Sequence, residues 1–124
     1  MKARILVVDD EEIVIRSCLR ILGDDGDCEV EAARDGLEAL KKIDESHFDV
    51  LILDIMMPKM DGTDVAMILK EDVRTKHIPI FFVTAVISAE DKPRTVGSPH
   101  PVFAKPVKLD ELLDAIKDAT GRPF

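Results

Sequence analysis

Residues 5–12 read ILVVDDEE: four consecutive apolar side chains, Ile5 to Val8, run straight into four consecutive carboxylates, Asp9 to Glu12. An uninterrupted apolar run of this length marks a strand buried on both faces, since a half-solvated strand alternates apolar and polar residues. Four adjacent like charges repel one another, so their place at the mouth of a buried strand needs a reason. The reason depends on the fold that the neighbouring segments predict.

Beyond Glu12 the apolar period changes. Residues 13–22 have helical spacing, with Val14, Cys18, Ile21 and Leu22 on one face and Ile15 and Leu19 widening it. Gly23 to Asp27 is a turn cluster, and Cys28–Ala33 reads as a short strand. Asp35-Gly36 opens a second helix, with Leu37, Leu40 and Ile43 directed inward. Val50–Leu53 is another doubly buried strand, ending at Asp54, and Met57-Pro58 then breaks the chain. Gly62–Val73 is a helix carrying Val65, Ile68 and Leu69. Pro79 opens a strand at Ile80–Val83, and Val102–Ala104 reads as a fifth. Leu109, Leu112, Leu113 and Ile116 make a last amphipathic helix, stopped by Gly121 and Pro123.

Strands alternating with helices imply βαβ units and hence a parallel sheet covered on both faces. The expected architecture is a three-layer αβα fold of five parallel strands, which in the flavodoxin-like arrangement take the order 2-1-3-4-5. The 124 residues suit a single domain, 1–124. The composition, 46% apolar and 34% charged, is that of a globular protein. No apolar stretch approaches the ~20 residues of a membrane helix, and Ile5–Val8 is too short for the apolar part of a signal peptide. The net charge of −8 argues against binding a nucleic-acid backbone and favours cations or basic protein surfaces. Cys18 and Cys28 lack metal-ligand spacing and read as reduced thiols of a cytoplasmic protein. His47, His77 and His100 are scattered and read as surface or loop residues.

In a parallel sheet, function sits at the C-terminal strand ends, near the point where strand order reverses. Asp9 and Asp10 fall at the end of strand one, Asp54 of strand three, Thr84 of strand four and Lys105 of strand five. If the strands take the order 2-1-3-4-5, strands one and three are neighbours and three carboxylates converge in one crevice. A hard divalent cation relieves that repulsion, and oxygen ligands without sulfur or imidazole point to Mg²⁺, with Mn²⁺ as a substitute. Helix capping alone accounts for Glu11 and Glu12 but not for Asp54, which precedes a chain break rather than a helix.

The stretches ILVVDDEE, VLILDIMMPKMDG, PIFFVTA and FAKP, in this order over essentially the whole chain, resemble the receiver domain of two-component response regulators. The resemblance implies that Asp54 accepts a phosphoryl group from a phosphohistidine of a histidine kinase or histidine phosphotransfer protein. It implies that Asp10 and Asp54 bind Mg²⁺ directly, Asp9 through water and Met56 through its backbone carbonyl. Thr84 would donate its hydroxyl to a phosphoryl oxygen, Lys105 would pair with the phosphoryl group, and the Lys105–Pro106 peptide bond would be cis. Such a domain is not a conventional enzyme, catalysing only its own phosphorylation and dephosphorylation. Its output would be a downstream protein or an attached output domain, with no nucleic-acid or membrane contact of its own.

Two rival chemistries fit less well. A flavin binder of this topology needs a hydroxyl- and glycine-rich phosphate loop where DDEE stands. A haloacid-dehalogenase-type phosphatase needs a second Asp two residues after the first, where Met56 stands. A receiver-fold binding module that signals without phosphorylation is the remaining alternative. Val102 stands where the family has an aromatic switch, and Phe103 is one step along the strand and so faces the other way. Met56 and Val86 flank the path of a hydrolytic water without a side chain able to orient it, which predicts a long-lived phosphoryl group. Pro93, Gly97, Pro99 and Pro101 crowd the segment where the family has its fourth helix, so that helix is expected to be shortened or irregular.

Overall fold

β1 (Ala3–Val8) lies at the centre of a parallel sheet, between β2 (Cys28–Ala33) and β3 (Val50–Asp54). The computed structural model describes residues 3–23, 28–55, 57, 60–84, 102–104 and 109–120. Met56, Lys105 with its bond to Pro106, and the proline-rich segment 86–101 lie outside them. Beyond β3 comes β4 (Ile80–Thr84), so the order β2-β1-β3-β4 is the one expected. The three residues of β5 (Val102–Ala104) pair with β4 in parallel.

The continuous apolar runs are strands because each of their faces meets helices. Leu6, Val8, Leu51, Leu53 and Phe82 pack with Ala39 and Ile43 of α2 (Gly36–Glu45) and with Val65 and Leu69 of α3 (Gly62–Lys70). The alternate residues Ile5, Val7, Ile52 and Val83 pack with Cys18 of α1 (Glu12–Gly23) and with Leu112 and Ile116 of α4 (Leu109–Thr120). Period-two alternation thus divides each strand between two cores.

Several helix details differ from the sequence reading. On α1 it is Ile15 and Cys18 that are fully buried, while Leu19 is exposed. On α2 the buried residues are Gly36, Ala39 and Ile43. Leu37, one position off that spacing, is 60% exposed rather than inward. Ile68 likewise stands at the surface of α3, 44% exposed. That helix ends at Lys70 rather than Val73, because the Thr75 hydroxyl donates to the Leu69 carbonyl at 2.7 Å and draws the chain into a turn. The start of α2 is as expected, with Asp35 as N-cap accepting from the Glu38 N–H at 2.8 Å.

The lower rim of the sheet is tied together by Arg4. Its guanidinium meets Glu31 at 2.6 Å, donates to the His47 carbonyl at 3.1 Å and lies 5.0 Å from the centre of the Phe48 ring. Its backbone N–H donates to Asp49 Oδ2 at 2.8 Å. One side chain thereby links β1, β2 and the entry to β3 at the end opposite the carboxylates.

Candidate functional site

The register of β1 and β3 brings the site together. Val8 pairs with Leu53, so the next residues, Asp9 and Asp54, emerge side by side. Alternation puts both on the side of Val7 and Ile52. Asp9 is 0% exposed and Asp54 2%, while Asp10 and Glu11 face solvent. Carboxylate oxygens of Asp9, Asp10, Glu11 and Asp54 all lie within 4.8 Å of one another.

Local hydrogen bonds account for this convergence. The Asp9 N–H donates to the Ala33 carbonyl at 3.1 Å, extending the ladder to β2 one residue past the strand. Asp9 Oδ1 accepts the Glu11 N–H at 2.8 Å, which folds the chain over the strand end before α1 begins. The Ile55 N–H donates to the Val83 carbonyl at 2.9 Å and holds the far side of Asp54 against β4. The Gly62 N–H donates to the Ile55 carbonyl at 3.1 Å, bringing the start of α3 against the end of β3. The approach is so close that a Cβ at Gly62 would overlap the Asp54 carbonyl oxygen and stand 3.2 Å from Ile55 Cα. Only glycine fits there without moving backbone.

Thr84 ends β4, 1% exposed, one residue beyond Val83, the register partner of Asp54. The expected trio Asp9, Asp10 and Asp54 is therefore brought together, with Thr84 at the next strand end. Met56 and Lys105 lie outside the described residues. Glu11 belongs to the cluster as well, although its sequence position suggested only a charge at a helix start. The signal that could have found it is Asp9 two residues earlier, an Asp side chain well placed to accept that backbone N–H.

At the start of α3, Asp61 is the N-cap, and its N–H donates to Asp64 Oδ2 at 3.3 Å. Burial pushes the Asp61 carboxyl above its ordinary value of 3.8, and hydrogen bonding with the Asp64 carboxyl raises it further.

The donors of the cluster are all oxygen. Two come from buried residues fixed by the sheet and two from solvent-facing ones, leaving one side open to water. This set suits a hard divalent cation that keeps part of its hydration shell, Mg²⁺ above all.

The family model of the response regulator receiver domain matches residues 5–117. Protein PilG of Pseudomonas aeruginosa is 34% identical over 116 residues, covering 92% of this chain and 84% of PilG. The polar-differentiation response regulator DivK of Brucella ovis is 31% identical over 122 residues, 98% of each chain. Among solved structures, the Vibrio cholerae chemotaxis protein CheY4 superposes with a TM-score of 0.83 at 33% identity, covering 96% of this chain and 99% of CheY4. The signal receiver domain of a Syntrophus aciditrophicus signal transduction histidine kinase gives a TM-score of 0.86 at 27% identity, covering 96% and 90%. With its strand-end carboxylates, its sheet and these relatives in agreement, the chain belongs to the receiver domains of response regulators.

Proposed function

We propose that this chain is a phosphoacceptor signalling domain in which Asp54 takes a phosphoryl group from a phosphohistidine of a sensor kinase or histidine phosphotransfer protein. The observation that carries the reading is the convergence of Asp54, buried at the end of β3, with Asp9, Asp10 and Glu11. An Asp54 carboxylate oxygen attacks phosphorus, the P–N bond to the donor imidazole breaks, and the imidazole leaves with the electron pair. Burial and the Gly62 contact hold Asp54 in position for that attack. The Thr84 hydroxyl is the donor to a phosphoryl oxygen of the product, and Lys105 the balancing cation.

Asp10, Asp54 and the Met56 carbonyl are the proposed direct ligands of Mg²⁺, with Asp9 acting through water and Mn²⁺ as a substitute. When bound, Mg²⁺ neutralises the crowded carboxylates and the charge of the phosphoryl oxygens. Phosphorylation then alters the face around β4 and β5, read by a downstream protein or an attached output domain. Among the described residues no helix is long and apolar enough to cross a membrane. We place the domain, residues 1–124 as one unit, in the cytoplasm.

The chain has neither Trp nor Tyr, so mass and NMR are the practical readouts. Incubation with Mg²⁺ and acetyl phosphate should add one phosphoryl mass, prevented by prior chelation of the metal and absent in Asp54→Asn. Beryllofluoride should shift amides near Thr84. A native chain that gains no mass and shows no shift, indistinguishable from Asp54→Asn, would establish the binding-module reading instead.

A further inference from the structure

At the opposite end of the sheet from the carboxylates, the ends of α2 and α3 and the turn before β4 enclose a cavity of about 540 Å³. Phe48 lines this cavity, and β3 runs on from Val50, two residues later, to Asp54, a further separation of about 13 Å at ~3.3 Å per residue. Its floor is apolar: Ile43, Phe48, Leu69 and Ile78 are buried beneath it. Ile68, which had been expected in the core, stands 44% exposed at its edge.

The rim is acidic. Asp44 and Glu45 come from the last turn of α2, and Asp72 from the turn after α3; Ser46 and His47 complete the rim, the His47 ring lying 3.3 Å from Asp49 Oδ1. The guanidinium at the rim, Arg74, is already engaged, with Nη2 2.9 Å from Asp72 Oδ2 and 3.4 Å from Asp44 Oδ1. Those contacts raise the Arg74 pKa and lower that of Asp72, so both stay charged at neutral pH. A carboxylate or phosphate ligand would meet net negative charge. The Thr75 hydroxyl also lines the cavity, but it is committed to the Leu69 carbonyl. Small-molecule sites orient their ligands by convergent polar groups, and here those of the floor are spent. An apolar floor inside an acidic rim complements an amphipathic helix whose aliphatic or aromatic anchor is flanked by Lys and Arg.

We infer that this cavity is a docking site for a basic amphipathic helix of a partner protein, separate from the carboxylate cluster. The inference does not depend on phosphoryl transfer at Asp54. It is tested on the full chain, labelled with ¹⁵N, against a synthetic helix of leucine and lysine and its leucine–glutamate counterpart. The lysine helix should shift amides of residues 40–48 and 68–78 and bind at least about tenfold tighter than the glutamate helix. The double variant Asp44→Asn/Glu45→Gln should weaken binding by roughly three- to tenfold, and added salt should weaken binding to the native chain in the same way. Ile68→Asp should weaken it with the spectrum otherwise unchanged. Equal binding of the two helices, or shifts confined to Asp9–Glu12, would overturn the proposal, and neither result requires a variant to fold.

Discussion

Gly62 illustrates how one residue remote in sequence can set the geometry of another. A Cβ there would strike the Asp54 carbonyl, which is backbone and cannot rotate away. Gly62→Ala should therefore displace the end of β3, costing about 1–3 kcal/mol in denaturant unfolding and weakening Mg²⁺ binding as well. Asp54→Asn should act in the opposite direction on stability. Removing one of four converging carboxylates raises metal-free stability by about 1–2 kcal/mol while abolishing most of the stabilisation by Mg²⁺. Both effects are read from urea midpoints with and without the metal. Asp61 gives a pH signature. Its folded pKa is raised by burial and by Asp64, so its contribution to stability is fully present below the ordinary 3.8 and is lost as pH rises through the folded value. Asn caps a helix as well as Asp does, so Asp61→Asn should gain on the native chain across that window and hold a constant advantage above it. Urea midpoints over a pH series check the sign.

At the level of elements, the strands were readable because burial on both faces writes an unbroken apolar run, which few other structures need. The Asp35-Gly36 start of α2 was readable because capping is local chemistry. Helix faces were harder, since a shift of one residue turns a side chain by ~100°, as Leu37 shows. The end of α3 depends on a hydroxyl five residues past the helix, Thr75, a contact that no periodicity encodes. Within the site, Asp9, Asp10 and Asp54 followed from strand ends and expected neighbours, whereas Glu11 needed the actual turn, and the fit of Gly62 needed the actual packing of α3 on β3. The Arg4 hub joins three elements that are distant in sequence. Arg4→Ala should cost about 1–3 kcal/mol by loss of the Glu31 pair and of packing on Phe48, and Arg4→Lys should recover only part of it. Thermal unfolding of the two variants beside the native chain separates the outcomes.

On the scale of the whole molecule, charge and topology act together. A net charge of −8 includes carboxylates concentrated at one end of the sheet, so a divalent ion should stabilise far more than monovalent salt of equal ionic strength. Mg²⁺ at about a hundredfold above its dissociation constant should add ~2.7 kcal/mol, a gain visible as a rise in the thermal midpoint. The strand order has a further consequence, in the time the chain takes to be made. β2 adds to one edge of β1, β3 to the other, β4 to the edge of β3 and β5 to the edge of β4. Each newly synthesised strand thus finds a free edge waiting, and none has to part a pair already formed. On the ribosome the sheet can grow outward like a fence built from its first post, with Asp9 and Asp54 neighbours before β4 and β5 have joined it. Nascent chains arrested once β3 has left the ribosomal tunnel should already hold β1 against protease, whereas a topology that inserted a late strand at the centre would leave it open to cleavage until synthesis was nearly complete.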